Sequence, residues 1–414
     1  MNKLSKITTL LLLMSLAALA GPVTTVPWNG YTGAVSFTYD DARDGQIPNL
    51  LPQLDSLKIK ATFEIAARSV GTFIPRLNSW LQVAKNGHEL ANHTYSHVSI
   101  NTLSDAAIAD TVRVMANYLR GLDTSIQSVT FAYPNCNVPG TTSGKNGVNA
   151  ENFIARGCGG ATYAWGTQPS DWMNIQGLIV TNNVTTSATS ELSSAKTNNT
   201  WASIIIHDVV NPPPDIYSMT PANNLVILQA GVSNLLWIDT YSRIGSYYRA
   251  HFTMDTVTGF RAETGIWNLA WISPHPKMPK SVPLRVKFAA ATFGTSFTVQ
   301  QGSTVIAPEL DGSYIIDFMK LSLKVSQGTS SVKARAFLPS KLQTKVTTNG
   351  ILLGGIVGTV EATVVDVEGH NLFRGKVSDR LVPLRKDQMR GLLFVTVSNR
   401  VTGTSVHIMV NAVH

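Results

Sequence analysis

Gly87-His88-Glu89-Leu90-Ala91-Asn92-His93-Thr94-Tyr95-Ser96-His97 is the stretch on which the reading of this chain turns. It sets His93 and His97 four residues apart. On one helical turn, or in a tight loop that imitates one, this spacing aims both rings at the same point. Two neutral imidazoles on one point suit a zinc-like ion, which then needs a third ligand and an open position for water. Two histidines in a polar loop can equally be a coincidence. What the rest of the chain places after its other strands decides between the two.

Outward from this stretch, short apolar runs alternate with helical periods from Ala34 to about Tyr241. Ala34 to Tyr39, Lys60 to Ile65, His88 to Asn92, Ser128 to Ala132, Ala161 to Trp165, Leu178 to Thr181 and Ala202 to Ile206 read as strands. Between them Ile47 to Leu57, Phe73 to Lys85 and Ser104 to Leu122 carry helical spacing, the last with Ser104 as its N-cap. Leu225 to Leu236 returns to helical period, and Trp237-Ile238-Asp239 reads as a final strand. The alternation predicts an α/β fold with a parallel sheet, closed as a barrel. Asp40-Asp41, His93/His97, Pro134-Asn135 and His207-Asp208 each follow a strand directly. In a (β/α) barrel the strand C-termini share one face, so these four clusters are expected in one pocket.

After about Tyr247 period-two alternation takes over, as in Leu284 to Phe288, Phe297 to Gln300 and Ser313 to Phe318. Ser273 to Pro283 holds four prolines and reads as a connection. Further strands are expected at Gly358 to Val367 and Gly391 to Val397, giving a β-rich, sandwich-like C-terminal region. The expected organisation is a leader over 1–20, the barrel over 21–247, and β-rich modules over 248–327 and 328–414. From about Pro283 onward there is no Trp, which counts against an aromatic sugar platform there.

Lys3, Lys6, the apolar run Ile7 to Leu16 and Ala18-Leu19-Ala20 form a secretory signal pattern, with cleavage expected near Ala20 and a secreted product, extracellular or periplasmic. No later stretch is long and apolar enough to cross a bilayer as a helix. The formal charge of +8 is spread along the chain without a Lys/Arg cluster, so nucleic acid is not an expected partner. Of the two cysteines, Cys136 and Cys158, neither sits in a Cys-x-x-Cys pattern. Export permits a disulfide between them pinning a loop near the pocket, with metal ligation as the rival.

From Ala34 to Tyr241 the chain resembles the polysaccharide deacetylases, carbohydrate esterases of family 4 with a NodB homology domain. Thr38-Tyr39-Asp40-Asp41-Ala42 is similar to that family's Thr-Phe-Asp-Asp-Gly, and His93-Thr94-Tyr95-Ser96-His97 to its His-(Ser/Thr)-x-x-His. Gly87 to Asn92 resembles its Gly-His-Glu-Ile-Gly-Asn lead-in, Ala61-Thr62-Phe63 its Ala-Thr-Phe-Phe strand, and Ile204 to Asp208 its Leu-x-Leu-His-Asp. The order and separation of these pieces carry the resemblance. It implies a distorted (β/α) barrel in which Asp41, His93 and His97 hold a divalent cation, zinc first and cobalt or nickel as alternatives. Such a cation polarises a carbonyl and lowers the pKa of its water from about 15.7 toward about 7. The resemblance makes Asp40 the general base and His207 the general acid of acetyl hydrolysis. The substrate would be an acetylated polysaccharide or oligosaccharide, N- or O-linked; nothing in the sequence sets the oligomeric state.

Two departures stand out. The third motif, Arg-x-Pro-Tyr, reads Ala132-Tyr133-Pro134-Asn135, so the Arg that pairs with the base is missing and Asn135 takes the Tyr slot. Tyr133, Pro134 and Asn135 are nevertheless expected at the groove, since the motif's last residue works through its backbone N–H toward an oxyanion. Arg156 or Arg43 could replace the lost Arg. Arg156, Trp165, Asp171 and Trp172 are further groove candidates, Asp171-Trp172 being similar to the family's Asp-x-x-Asp-Trp with Gln168 in place of its first Asp. The rival from another class is a carbohydrate-binding surface protein whose barrel has lost turnover. Release of acetate separates the two.

Overall fold

The computed structural model describes residues 21–68, 71–309, 311–328, 343–347, 349–354, 360–378, 380–399 and 404–412. The leader expected over residues 1–20 lies outside these, as does much of the stretch where the second β-rich module was expected to begin.

Seven parallel strands close on themselves: Ala34–Asp40, Thr62–Ile65, Glu89–Asn92, Thr130–Ala132, Ile154–Cys158, Ile175–Ile179 and Thr200–Ile206. The seventh pairs back onto the first, Ala34 beside Trp201 and Tyr39 beside Ile206, which makes the sheet a barrel. Every residue of the first and last of these strands is buried, the signature of strands covered on both faces. Outside the sheet lie Leu51–Leu57, Leu77–Lys85, Asp105–Leu122, Thr186–Asn198 and Pro221–Ser233. Their inward residues Leu54, Trp80, Leu119, Leu192 and Ile227 join Phe37, Phe63 and Ile204 in one core. Each such side chain contributes about 1.5–3 kcal/mol on burial. The Ser104 hydroxyl caps Asp105–Leu122 by accepting from the Ala107 N–H at 3.4 Å.

Two barrel elements escaped the periodicity reading. The helix Thr142–Asn149 is short and polar, and the strand Ile154–Cys158 has its apolar run broken by Arg156 and Gly157. The segment around Ala161 to Trp165 is a two-residue strand, Tyr163–Ala164, antiparallel to Thr200–Ile206 and outside the closed ring.

The boundary expected at residue 247 falls inside the helix Tyr241–Met254 and needs correcting. Ile244, Tyr247, Tyr248 and Ala250 of this helix share one core with Trp267, Leu284, Val299 and Val325 of the following β-rich segment. The strand Val23–Thr25 is bound into the same unit, since it pairs antiparallel with Pro283–Phe288. Further on, a three-stranded sheet carrying Ile351 and Val382 faces a four-stranded one carrying Val364, Leu393 and Val395 over a core of their own, a small sandwich.

His251 lies buried in the junction, its ring stacked 4.0 Å from that of Trp165. Burial pushes the His251 imidazole down to about 4, against a weaker opposing pull from its bond to the Tyr248 carbonyl. The unfolded chain therefore binds more protons than the folded one between the ordinary histidine value and about 4. The contribution of this neutral ring is complete above pH ~6.5 and is lost as pH falls through that window, up to about 3 kcal/mol. Thermal melts from pH 7 to pH 4.5 are expected to show a falling Tm, with a shallower slope in His251→Phe.

Candidate metal and catalytic site

The first barrel strand ends in two adjacent acids, which regular pleating would send to opposite faces. The backbone prevents this. Asp41 and Ala42 have φ of 77° and 55°, so the chain turns left-handed immediately after the strand and both carboxylates face the barrel mouth. The turn is tied down by the Asp41 N–H on the Glu64 carbonyl and the Thr72 N–H on the Ala42 carbonyl, both at 2.9 Å. Gly71 passes so close that a Cβ there would lie 1.9 Å from the Asp41 carbonyl oxygen.

His93 and His97 lie on a loop, not a helical turn, with Thr94 and His97 at φ of 62° and 53°. The Asn92 side chain starts the loop by accepting from the Thr94 N–H at 3.0 Å, and Thr94 Oγ1 accepts from the Val98 N–H at 3.1 Å. The loop brings the ring centroids to 4.9 Å. His93 Nδ1 donates to the Ala132 carbonyl at 2.9 Å, which leaves the Nε2 lone pair toward Asp41. Nε2 of His93 and of His97 stand 3.7 and 3.3 Å from Asp41 Oδ1. Burial outweighs the neighbouring carboxylates and holds the His93 imidazole down at about 4, so the ring is neutral at physiological pH.

The donor set fits a divalent cation. Ligand atoms of Asp41, His93 and His97 lie within 4.8 Å of one another. Asp41 Oδ1, buried beside both imidazoles, has no hydrogen-bond partner among the described residues, whereas Oδ2 is occupied by Arg43 at 3.1 Å. A buried acceptor left open between two imidazole Nε2 atoms is a gap that a cation closes.

Asp40 is held from the other side. Arg156 Nη2 lies 2.7 Å from both its oxygens, and both residues are buried. Burial raises the Asp40 carboxyl, but Arg156, aided by His93 and His207, prevails and holds it below the usual carboxylate range. Arg156 is therefore no groove residue. In the sheet it stands beside Ala132, so the guanidinium absent from the third motif enters from the adjacent strand. Arg43 instead bridges Asp41 and, at 3.4 Å, Asp215.

Asp40, Asp41, His93, His97, Tyr133, Asn135 and His207 line one cavity of about 270 Å³, together with Arg43, Ile179, Ile205 and Tyr217. Cys136 and Cys158 form a disulfide in its wall, joining the ends of two neighbouring strands. Pro134 is buried and does not line the cavity, and the Tyr133 hydroxyl donates to the Met173 carbonyl at 2.7 Å. Asn135 Nδ2 donates to Ser99 Oγ at 2.8 Å, tying the third-motif loop to the one after His97. The His207 ring lies 5.2 Å from that of Tyr217, and its Nδ1 is buried without a partner.

Three other groove expectations need correction, because packing claims them. Trp165 lies against Trp28 and His251, and Trp172 beneath the Arg249 guanidinium at 5.0 Å. Asp171 pairs with Lys145 at 2.6 Å and accepts from the Met173 N–H. None of the three lines the cavity.

Two residues that hold the site had not been singled out. Gln46 Nε2 donates to the carbonyls of Asp40 and His207 at 2.8 and 2.6 Å, joining the two strand ends. Glu64 is wholly buried beside Asp40, and its carboxyl is raised well above its usual range by burial, despite Arg156. An acid directly after Ala61-Thr62-Phe63, inside a buried strand, was the signal available for it. A single Gln after a turn gave none.

Residues 30–149 match the polysaccharide deacetylase family. A probable peptidoglycan-N-acetylglucosamine deacetylase of Arthroderma benhamiae is 31% identical over 93 residues, 21% of this chain and 21% of that protein. A gellan lyase of a Bacillus species is 26% identical over 191 residues, 45% of this chain and 7% of the lyase. The match thus spans only 21% and 7% of the length of these curated relatives. Among solved structures, a family 4 acetyl xylan esterase from Clostridium thermocellum is 18% identical with a TM-score of 0.36, over 51% of this chain and 89% of that one.

Arg156→Met is expected to leave Asp40 and Glu64 as buried acids without a cation partner. It should destabilise the chain by about 3–5 kcal/mol, read as a lowered urea midpoint at unchanged m-value.

Proposed function

We propose, for a barrel whose residues 30–149 match the polysaccharide deacetylases, that the chain is a secreted, metal-dependent hydrolase of glycan acetyl groups. The observation that carries this reading is the open Asp41 Oδ1 between two imidazole Nε2 atoms, beside a second carboxylate with its own buried cation. Asp41, His93 and His97 would hold the ion, zinc in the first instance. When bound, such an ion supplies Lewis acidity toward a carbonyl oxygen and makes water a stronger acid.

The rest of the chemistry belongs to the chain. Asp40, kept ionised by Arg156, accepts a proton from the water that adds to the acyl carbon. Arg156 fixes the orientation of that carboxylate. The Asn135 backbone N–H serves the oxyanion that develops on the acyl oxygen. His207 supplies a proton to the departing amine or hydroxyl as its bond to the acyl carbon breaks, giving acetate and the deacetylated sugar. Each proton transfer typically contributes about 10²–10⁴-fold. Ile179 and Ile205 give the cavity an apolar side suited to a methyl group.

The reading of a glycan-binding barrel without turnover draws on the altered third motif and on the large β-rich tail. Arg156 on Asp40 answers the first of these.

The test is acetate release from a panel of N- and O-acetylated oligosaccharides, with metal content measured alongside. Chelation is expected to abolish activity and added zinc to restore it. Asp41→Ala should lose both metal and turnover, whereas Asp40→Asn should retain metal while kcat falls by about 10²–10⁴-fold. A chain that binds metal yet releases no acetate from any member of the panel would overturn the proposal.

A further inference from the structure

Glu64 has no part in the chemistry above, yet it lies against it. In the sheet it is the direct neighbour of Asp40. It is fully buried, and neither carboxyl oxygen has a hydrogen-bond partner among the described residues. Arg156 Nε, 3.7 Å from Glu64 Oε1, is likewise buried without a partner. A buried acid costs free energy unless something answers it, and the one guanidinium beside it is also the one on Asp40.

The form of the Arg156–Asp40 contact explains the need. A single nitrogen, Nη2, serves both oxygens of Asp40. A guanidinium held by one nitrogen can pivot about it, whereas a planar fork held along two edges cannot. The Nε edge faces Glu64. Arg156 also comes from a strand whose third-motif neighbour, Ala132, offers only a methyl group, so no second cation can take its place there.

Resting on the deacetylase reading, we propose that Glu64 is a positioning residue: its carboxyl oxygen fixes the Nε edge of Arg156, so that Nη2 stays on Asp40 and the base keeps its aim. Glu64 does not line the cavity that holds Asp40, Asp41, His93 and His97. What it needs for this role is an acceptor at that place, not a particular volume.

Two measurements test this, one independent of turnover. In the unmodified chain with selectively ¹⁵N-labelled arginine, the Arg156 Nε–H signal, assigned by its loss in Arg156→Lys, is expected to exchange slowly with water. The Nη protons of that residue should be resolved from one another, as slow rotation requires. Glu64→Met, matched in length but without an acceptor, should merge the Nη signals, and Glu64→Gln, which retains a carbonyl oxygen, should keep them apart. Averaged Nη signals in the unmodified chain would overturn the inference without recourse to any variant. In kinetics, Glu64→Met should retain its zinc and a KM within about twofold while kcat falls about 10- to 100-fold, and Glu64→Gln should recover most of that loss. Equal kcat in Glu64→Met and the unmodified chain, or equal losses in the Met and Gln variants, would overturn it. If the unmodified chain releases no acetate, the deacetylase reading fails and the arginine signals alone decide the role of Glu64.

Discussion

A left-handed step of the backbone at Asp41 and Ala42 is the constraint on which this site depends. Without it, two adjacent acids would point to opposite sides of a strand, and their carboxylates could not share a cavity. Neither residue is glycine, so the step costs about 1–2 kcal/mol per residue. The surroundings hold it: a hydrogen bond from Asp41 to the next strand, one from Thr72 to Ala42, and the close passage of Gly71. Strain of this kind persists where neighbouring structure over-determines it.

The step gives the two carboxylates opposite surroundings. Asp41 faces two imidazoles and keeps one oxygen open, while Asp40 faces a buried guanidinium. The first arrangement suits a cation, and the second keeps a carboxylate ionised and oriented. Burial drives both, since a dry, low-dielectric site strengthens each ion pair and suppresses protonation of His93. The disulfide and Gln46 then lock together strand ends that are distant in sequence.

Much of this was legible in the chain. Alternation of apolar runs and helical periods gave the barrel, because parallel strands covered on both faces leave an unmistakable run of buried residues. The ring of polar clusters after those strands gave the pocket, because strand C-termini share one face. Where the alternation weakens, legibility ends. Ile154–Cys158 is a central strand, but Arg156 and Gly157 hide its period, and so Arg156 could be offered only beside Arg43 as the replacement for the missing third-motif Arg, and as a groove candidate as well. Trp165 and Trp172 look like sugar platforms by residue type, yet an aromatic side chain is equally good core, and the helix Tyr241–Met254 claims both.

By itself the sequence determined the barrel, the order of its polar clusters, and the identity of Asp40, Asp41, His93, His97 and His207 as residues worth watching, because each follows a strand and spacing along one chain is visible without coordinates. Only tertiary structure decided which cation partners Asp40, which oxygen of Asp41 stays open, and that Glu64 stands behind Arg156. Those relations run between strands more than 20 residues apart, and cross-strand register leaves no imprint on the local pattern of either partner.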